Sequence, residues 1–281
     1  MVFMMPGIII SVINNKGGCG KTTTVVNLAH WLGKMGKRVL AIDNDSQCNC
    51  SDILLHQVSV ADTLYHVIKH NSKLPTCIYN TNHYMSVYCM PNDREKTAYE
   101  EPRLASLLVK GQIEESLLLY RNRMRDYTRN NFDIVLVDNP PNLGLFTTMS
   151  LHMADFVIVP NEAGSRFSLE GLMNAVGFID EVREHPEISN PDLKFLRLLI
   201  TKVDRRTNAS NAIVEHIKSS FPADQMFENI IPTNAAIQQA ELMHETVIKF
   251  RSNAPGAKAY KKVAEELLTI LNSNNGWRHG V

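Results

Sequence analysis

A glycine-rich stretch near the start of the chain, residues 14–24 with the sequence NNKGGCGKTTT, contains residue types that can bind phosphate. Phosphate-binding loops follow the pattern G-x-x-x-x-G-K-[ST], and residues 20–22 supply its last three positions. Asn15 stands at the first position in place of glycine, and an additional lysine, Lys16, precedes the glycines. The stretch is therefore either a chance glycine turn or a variant loop in which this lysine has a function.

A loop of this kind binds the phosphate chain of a nucleotide. Its glycines leave room for backbone N–H groups to point at phosphate oxygens, and the N-terminus of the following helix favours the same anion. Lys21 would reach the β- and γ-phosphates, the Thr22 hydroxyl would ligate Mg²⁺, and Thr23 would contact the α-phosphate. The thiol of Cys19 would lie beside the phosphates. The predicted nucleotide site comprises Gly17, Gly18, Cys19, Gly20, Lys21, Thr22 and Thr23.

Aspartates follow two further apolar runs of the chain. VLAIDNDSQCN places Asp43 and Asp45 at the end of one run, and FDIVLVDNPPNLG places Asp138 at the end of another. Open α/β sheets bind ligands beyond the carboxyl ends of their strands. Carboxylates there can hold Mg²⁺, directly or through its water shell, and can position an attacking water. The alternative, exposed aspartates in ordinary turns, is common in general but is disfavoured next to a phosphate loop.

Short apolar runs alternate with helical patterns along the chain, and these elements must position the loop and the aspartates. A helix follows the loop from about Lys21 to Met35 and ends at Gly36. Strands are predicted at 7–14, 38–43, 85–90, 132–138, 155–160 and 194–201, and further helices near 60–69, 169–182, 208–220 and 257–272. This alternation predicts an α/β fold with one doubly wound, mostly parallel sheet and helices on both faces. We expect a single domain over residues 1–281 with a flexible tail after about residue 272.

The composition excludes several classes of protein. The 29 basic and 29 acidic residues balance, so DNA binding would need a local basic patch. The five cysteines form no C-x-x-C pair, which favours a reduced, cytosolic chain. The first residues, MVFMMPG, lack the features of a signal peptide. No segment approaches the roughly 20 apolar residues that a membrane-spanning helix needs.

The form K-G-G-x-G-K-[ST] resembles the deviant Walker A loop of the ParA/MinD superfamily of ATPases, which has the P-loop NTPase fold. The resemblance implies that ATP and Mg²⁺ are the cofactors. It also implies that Lys16 reaches across an ATP-dependent homodimer, a nucleotide sandwich, to the partner's phosphates. Asp45 would orient the attacking water in switch I, and Asp138 would be the Walker B carboxylate. Lys16, Lys21 and Asp45 are thus the expected catalytic residues, and Thr22, Asp45 and Asp138 are expected near Mg²⁺. A solvated loop lysine is the alternative for Lys16.

The resemblance covers nearly the whole chain as a ParA-like ATPase domain. VIVPNEAGSRFSLEGL resembles the family's segment after the next strand, and APGAKAYKKVAEEL resembles the closing helix. LLITKVDRRTN and NIIPTNAAIQQA resemble the two stretches that flank the base, with Pro232 and Asn234 as base-flanking residues. Switch I departs from the family's D-x-D-P-Q-G-N, because Ser46 replaces the proline and Cys48 replaces the glycine. We therefore expect a switch I that is more mobile than in its relatives.

Within the superfamily, the chain resembles ParA/Soj-type partition ATPases without an N-terminal helix-turn-helix arm, since only residues 1–13 precede the loop. This implies nonspecific DNA binding by the dimer, partitioning or positioning of a cargo over the nucleoid, and a ParB-like or cargo adaptor that stimulates hydrolysis. A MinD-like membrane-cycling regulator is the alternative. Its membrane anchor has a weak counterpart in LLTILNSNNGWRHGV, where NSNNG interrupts the helix before Trp277. No membrane partner is therefore expected. The nitrogenase iron protein is excluded, because residues 138–160 contain no cluster-binding cysteine.

DNA contacts in this family include an arginine in an I-P-R-N stretch, and Thr233 stands in its place here. The remaining candidates for DNA contact are Arg205, Arg206, Lys218, Lys258, Lys261 and Lys262. A second basic cluster, in YRNRMRDYTRN at 120–130, is predicted to be the solvated face of a surface helix.

Overall fold

One seven-stranded sheet runs through the computed structural model, which describes residues 6–69, 72–81, 84, 86–163 and 167–273, without the side chains of 167–170. The strands are β1 (Ile8–Val12), β2 (Val39–Asp43), β3 (Tyr79–Asn80), β4 (Val87–Met90), β5 (Ile134–Asp138), β6 (Phe156–Glu162) and β7 (Lys194–Thr201). Their order across the sheet is β3-β4-β2-β5-β1-β6-β7. All pairings are parallel except that of the short edge strand β3 with β4. The predicted fold class is confirmed.

Twelve helices of the described residues flank the sheet. They are α1 (Lys21–Lys34), α2 (Asn49–Leu54), α3 (Leu64–Lys69), α4 (Lys96–Val109), α5 (Ile113–Ser116), α6 (Asp126–Asn131), α7 (Leu145–Met153), α8 (Phe167–Glu184), α9 (Asn208–Ser220), α10 (Ala235–Leu242), α11 (Val247–Phe250) and α12 (Pro255–Ser273). Short 3₁₀ turns lie at Leu74–Cys77 and Ala223–Gln225, and a π turn at Arg121–Arg125 leads into α6. No helix among these described segments is long and apolar enough to cross a membrane.

The core lies on both faces of the sheet, because successive side chains of a strand point to opposite sides. In and just after β1, Ile8, Ile10 and Val12 belong to the cluster that packs against α1, α2 and α12. Ile9 and Ile13 belong to the second cluster, which packs against α3, α7, α8 and α9. Strands buried on both faces are mostly apolar, which is why the runs in the sequence are nearly continuous rather than alternating.

The predicted element positions agree well with the structure. The strand at 194–201 and the helix at 208–220 are found with the predicted bounds. Helix α1 ends at Lys34, and Gly36 follows with φ +83°, as a glycine that ends a helix should. The sequence reading did not identify α2, α7, α10, α11 or β3, which have nine residues or fewer. The weak counterpart of a membrane anchor extends over residues 267–281, and its last part, residues 274–281, lies outside the described residues.

The arginine cluster at 120–130 was predicted wrongly. Arg125 and Arg129 form ion pairs of 2.7 and 3.2 Å with Asp155, whose side chain is only 8% exposed. Arg123 donates a hydrogen bond to the Val67 carbonyl. The physical reason is that Asp155 is buried where it accepts from the Ile9 amide, and a buried carboxylate needs cations close by. The cluster therefore fastens α6 to the start of β6 and is not a solvated face.

Candidate functional site

The glycine-rich loop connects β1 to α1 and is held by hydrogen bonds from two neighbouring strands. The Asn14 side chain donates to the Pro160 carbonyl at 2.8 Å and accepts from the Lys16 amide at 2.9 Å. On the other side, the Thr201 hydroxyl donates to the Cys19 carbonyl at 2.8 Å. Gly18 and Gly20 have φ of +75° and +94°, a region that favours glycine. The loop is therefore fixed by the ends of β6 and β7.

Lys21 is almost buried at the first position of α1. Its ammonium donates to the Lys16 carbonyl at 3.2 Å and lies 4.0 Å from the Cys19 sulfur. It therefore curls back over its own loop, which is the arrangement that brings a cation to the phosphates of a nucleotide bound there. The Cys19 thiol is buried, and burial raises its pKa, with the charge of Lys21 acting against the rise. The thiol is therefore protonated at neutral pH.

Lys16 has a different environment from Lys21. Its ammonium forms an ion pair of 3.1 Å with Glu162, the last residue of β6. The cavity described below is lined by Gly17, Gly18 and Lys21, whereas Lys16 is not among its lining residues. The two lysines of the loop thus differ in position. Lys21 lines the cavity of its own chain, whereas the ammonium of Lys16 lies against Glu162.

Asp43 and Asp138 end the neighbouring strands β2 and β5 and lie opposite each other in register. Asp43 accepts three hydrogen bonds, from the Ser51 amide (2.8 Å), the Ser51 hydroxyl (2.6 Å) and the Asp45 amide (3.2 Å). Burial raises the pKa of Asp43 to about 7, against the effect of these bonds. Asp43 therefore has a structural role, since it shapes the turn that leads into α2.

Asp138 is fully buried, and neither of its carboxylate oxygens has a hydrogen-bond partner among the described residues. Burial raises its pKa well above the ordinary value, and the charge of Asp43 adds to the rise, while the Thr22 hydroxyl and Lys21 oppose it. A buried carboxylate without a partner is costly unless a cation neutralises it. Mg²⁺ is bound in proteins by one or two carboxylates together with waters and nucleotide phosphates. Asp138 with Thr22 therefore fits a magnesium ion beside the loop.

Asp45 lies in the turn after β2 and faces the same cavity. It is 8% exposed, and its carboxylate accepts from the Gln47 amide at 2.9 Å, which leaves a second oxygen available. The turn is held in place by Arg94, whose guanidinium donates to the Gln47 carbonyl at 3.0 Å. A carboxylate held at the mouth of a phosphate site can orient a water for attack on the terminal phosphate. The cavity lining thus brings Asp45 together with the predicted loop residues.

Cys48, which stands where the family has glycine, adopts the glycine conformation. Its φ is +58°, in the left-handed region that is uncommon for residues with a side chain. The residue is buried, and burial together with the charge of Asp43 raises the pKa of its thiol. Cys48 therefore occupies a backbone conformation that suits glycine better. The expected higher mobility of this loop stays a prediction.

A buried polar network that the sequence reading missed lies beneath the carboxylates. Asn44 donates to the Asn139 side chain at 2.8 Å and accepts from the Tyr120 hydroxyl at 2.8 Å. Asn139 in turn donates to the Ser11 hydroxyl at 2.9 Å. These bonds join the residues that follow β2 and β5, so the two aspartate-bearing turns are linked through the core. The signal available in the sequence was the occurrence of Ser and Asn inside or directly after apolar strands.

One cavity of about 510 Å³ extends from the phosphate loop to the segment after residue 230. Pro232 and Asn234, which were expected to flank the base, are among its lining residues, and the size suits a nucleotide. The Thr23 hydroxyl donates a hydrogen bond to Glu241 of α10, a residue that the sequence reading had not identified. The loop and α10 are therefore in direct contact through this pair.

The predicted DNA contacts lie outside this cavity and are all exposed. They are distributed over the turn after β7, α9 and α12. Three of them are paired with a carboxylate of their own segment: Arg206 with Asp204, Lys218 with Glu215, and Lys261 with Glu265. The structure thus brings most of the predicted nucleotide residues to one cavity, although Lys16, Cys19 and Asp138 do not line it. The basic residues are dispersed over three segments.

Comparison with known proteins agrees with this geometry. Residues 7–195 match a family described as an AAA domain. The chromosome-partitioning ATPase Soj of Thermus thermophilus is 31% identical over 259 residues, covering 92% of this chain and 94% of that protein. The chromosome partitioning protein ParA of Myxococcus xanthus is 31% identical, covering 93% of this chain and 88% of that protein. Among solved structures, cobyrinic acid a,c-diamide synthase from Mycobacterium smegmatis with bound ADP and magnesium has a TM-score of 0.77 at 25% identity, covering 95% and 96%.

The site and the comparisons lead to the same assignment. A lysine-containing variant of the phosphate loop, an unpartnered buried aspartate and a nucleotide-sized cavity occupy one end of a parallel sheet. The Soj and ParA matches extend over more than nine-tenths of the chain, since they cover 92% and 93% of it. This protein therefore belongs to the AAA-domain family and, within it, to the ParA/Soj partition ATPases of the ParA/MinD superfamily, and it is an ATPase.

Proposed function

We propose that this chain is a single-domain, ATP-dependent switch that dimerises around ATP and releases its cargo after hydrolysis. The observation that supports this most directly is the position of Lys16. Its ammonium lies against Glu162 and outside the cavity of its own chain, while Lys21 already supplies the cation on the cavity side. A second cation from Lys16 in its own site would duplicate the role of Lys21. A second copy of the chain facing the cavity would give Lys16 a phosphate to bind.

Within each subunit, the proposed nucleotide contacts are the loop residues 16–23 with Mg²⁺ held by Thr22 and Asp138. Asp138 has no other described partner to neutralise it, which supports this role. Asp45 is proposed to orient the attacking water, because it reaches the cavity while one of its oxygens is fixed by Gln47. Pro232 and Asn234 are proposed to flank the adenine. When bound, Mg²⁺ neutralises charge on the transferred phosphoryl group.

The dimer is proposed to bind DNA nonspecifically, in keeping with the partitioning relatives, and so to work on the nucleoid in the cytoplasm. The net charge of zero offers no global attraction, so binding would depend on a local patch. Arg205, Lys258 and Lys262 are the exposed candidates for which no ion pair is found within the described residues. Dimerisation would double such a patch and so restrict DNA binding to the ATP state. A ParB-like or cargo adaptor would stimulate hydrolysis.

The decisive test of the cross-subunit role mixes two variants. Lys16→Ala should still bind ATP in its own site but should neither dimerise nor hydrolyse. Asp45→Ala should bind ATP and dimerise without turnover. In a mixed dimer, one site retains its own Asp45 and receives the partner's Lys16, so mixing should restore part of the ATPase activity. The control is each variant alone at the same total concentration. Mixed dimers that are visible by native mass spectrometry but inactive would contradict the proposal.

A second experiment separates DNA tethering from membrane cycling. Gel-shift and liposome-sedimentation assays are run in parallel, each with ATP and with ADP. We expect DNA binding with ATP only, and a steep loss between low and physiological salt because phosphate contacts release counterions. Binding to anionic liposomes with ATP, without any DNA shift at low salt, would favour the MinD-like membrane regulator instead.

A further inference from the structure

A third lysine, Lys202, lies beside the phosphate loop in an unusual backbone conformation. It directly follows β7 and has φ +53°, in the left-handed region that few residues other than glycine adopt. Its two neighbours are both anchored: the Thr201 hydroxyl donates to the Cys19 carbonyl at 2.8 Å, and the Val203 amide donates to the Ile231 carbonyl at 3.0 Å. A residue held in such a conformation by its surroundings is a common feature of binding sites.

The side chain of Lys202 extends over the glycines of the loop. Its ammonium lies 3.9 Å from the point that a Cβ atom on Gly18 would occupy. It lines the same cavity as Gly17, Gly18 and Lys21. Its charge also acts on the loop: burial raises the pKa of the Cys19 thiol, and Lys202, after Lys21, opposes that rise. Lys202 thus reaches the loop whose amides are expected to bind phosphate.

The three lysines around the loop differ in what they contact. Lys16 is paired with Glu162, and Lys21 donates to the Lys16 carbonyl. For Lys202, no carboxylate of the described part of the chain lies within 4.0 Å of its ammonium. An exposed cation next to inward-pointing amides and a helix N-terminus is repelled by both unless an anion lies between them. The position therefore favours a bound anion.

We propose that Lys202 binds the phosphate chain of the nucleotide held in its own subunit. The inference rests on the proposed nucleotide site and adds a residue to it. Because Lys202 belongs to the same chain as the loop, its contact needs no dimer and persists after hydrolysis. Lys16, in contrast, is proposed to act on the partner's nucleotide. Lys202 therefore sets the affinity for ADP in the monomer, and with it the rate at which ADP leaves before the next cycle.

The test compares Lys202→Asn with Lys202→Arg and with Lys110→Asn. Asparagine tolerates the left-handed conformation, so Lys202→Asn removes the charge without straining the backbone. Lys110 is an exposed lysine at the end of α4, away from the cavity. By titration calorimetry with ADP and with ATP, we expect Lys202→Asn to weaken both affinities by about tenfold at low salt, with a smaller loss at high salt. Lys202→Arg should restore most of the affinity, and Lys110→Asn should equal the wild type.

The outcomes distinguish this inference from the function on which it rests. If the wild type binds ADP and Lys202→Asn binds it within twofold, Lys202 is not a phosphate contact, although the nucleotide site stands. A loss that Lys202→Arg does not restore would also overturn the role of the charge. If the wild type binds neither nucleotide, the proposed function itself is wrong. Lys202→Gly, which suits the backbone even better, provides the same measurement should Lys202→Asn fail to fold.

Discussion

The phosphate end of the cavity and the basic residues of the surface are both expected to contact phosphate, but they are built differently. At the phosphate end, Lys21 is almost buried, and Asp138 is completely buried with no hydrogen bond to either carboxylate oxygen within the described ranges. On the surface, Lys218 and Lys261 are about half exposed and each is paired with a glutamate one turn away. Buried groups are held in one geometry and lose much when changed, whereas exposed ion pairs contribute about 0–1 kcal/mol. Nucleotide binding at the phosphate end should therefore depend on single residues. DNA binding at the basic surface should depend on the summed contribution of several residues.

The largest effect is expected for Lys21→Ala. The substitution removes the cation that faces the phosphates, and no other residue replaces it at the start of α1. We expect ATP affinity to fall by about a thousandfold, which corresponds to about 4 kcal/mol for several charge-assisted contacts. Titration calorimetry measures it, with Lys110→Ala as the matched lysine control. ATP binding within tenfold of the wild type would show that the phosphate end does not depend on this residue.

Asp45→Ala should separate binding from hydrolysis within the same region. The aspartate reaches the cavity but is not part of the loop, so ATP affinity should change by about threefold or less. The turnover rate should fall by about a hundredfold, because a water-orienting group acts mainly in the transition state. A phosphate-release assay at saturating ATP gives the rate, and calorimetry gives the affinity. Wild-type turnover in this variant would remove Asp45 from the mechanism.

Asp138→Asn tests whether the buried carboxyl group of Asp138 lowers the free energy of unfolding of the ligand-free protein. Burial raises the folded-state pKa of Asp138 above its ordinary 3.8, so the folded protein holds this proton more tightly than the unfolded chain. The stability contributed by the carboxyl is therefore lost as the pH rises from about 4 through the raised pKa. The amide stays neutral and avoids this loss, so we expect the ligand-free variant to gain on the order of 1 kcal/mol over the wild type at pH 8, about the free energy of one pKa unit.

The measurement for Asp138→Asn is urea unfolding of ligand-free protein at pH 5 and pH 8. The gain over the wild type should be larger at pH 8. Mg²⁺-dependent hydrolysis should be lost at the same time, since the amide is a poor substitute for a charged magnesium partner. Equal gains at both pH values would indicate that the carboxyl is not the titrating group, and a less stable variant would contradict the picture of an unpartnered charge.

The smallest effects are expected on the basic surface. Lys258→Ala or Lys262→Ala alone should weaken DNA binding by about threefold or less at low salt, because each removes one exposed phosphate contact. The DNA affinity of the double variant should fall by roughly the product of the two single-variant losses. The dependence of its DNA binding on salt concentration should become shallower. Fluorescence anisotropy with ATP across a salt series measures both quantities. A single variant that abolished binding would show that the surface, too, depends on one residue.

Much of the site could be predicted from the sequence because its chemistry is local. Gly20, Lys21 and Thr22 adjoin a strand and begin a helix, so their backbone groups and side chains meet at one place without help from distant segments. Asp45 and Asp138 follow apolar runs, and parallel strands end at the same edge of a sheet. The helix that ends at Gly36 and the strand at 194–201 follow in the same way from residue type and spacing. Short elements such as α10 and α11 gave too few residues for a pattern.

Only the tertiary structure decided what lies opposite each of these groups. Three contacts join residues that are far apart in the chain. They are Lys16 with Glu162, Thr23 with Glu241 and Arg125 with Asp155, which are 146, 218 and 30 positions apart. Spacing along the chain contains no information about such contacts, because they depend on the order of the strands and on which helix covers which face. The same reason explains why the arginine cluster was predicted wrongly and why Lys202 was not noticed. A local pattern determines which groups a segment offers, and the packing of distant segments determines which of them are paired.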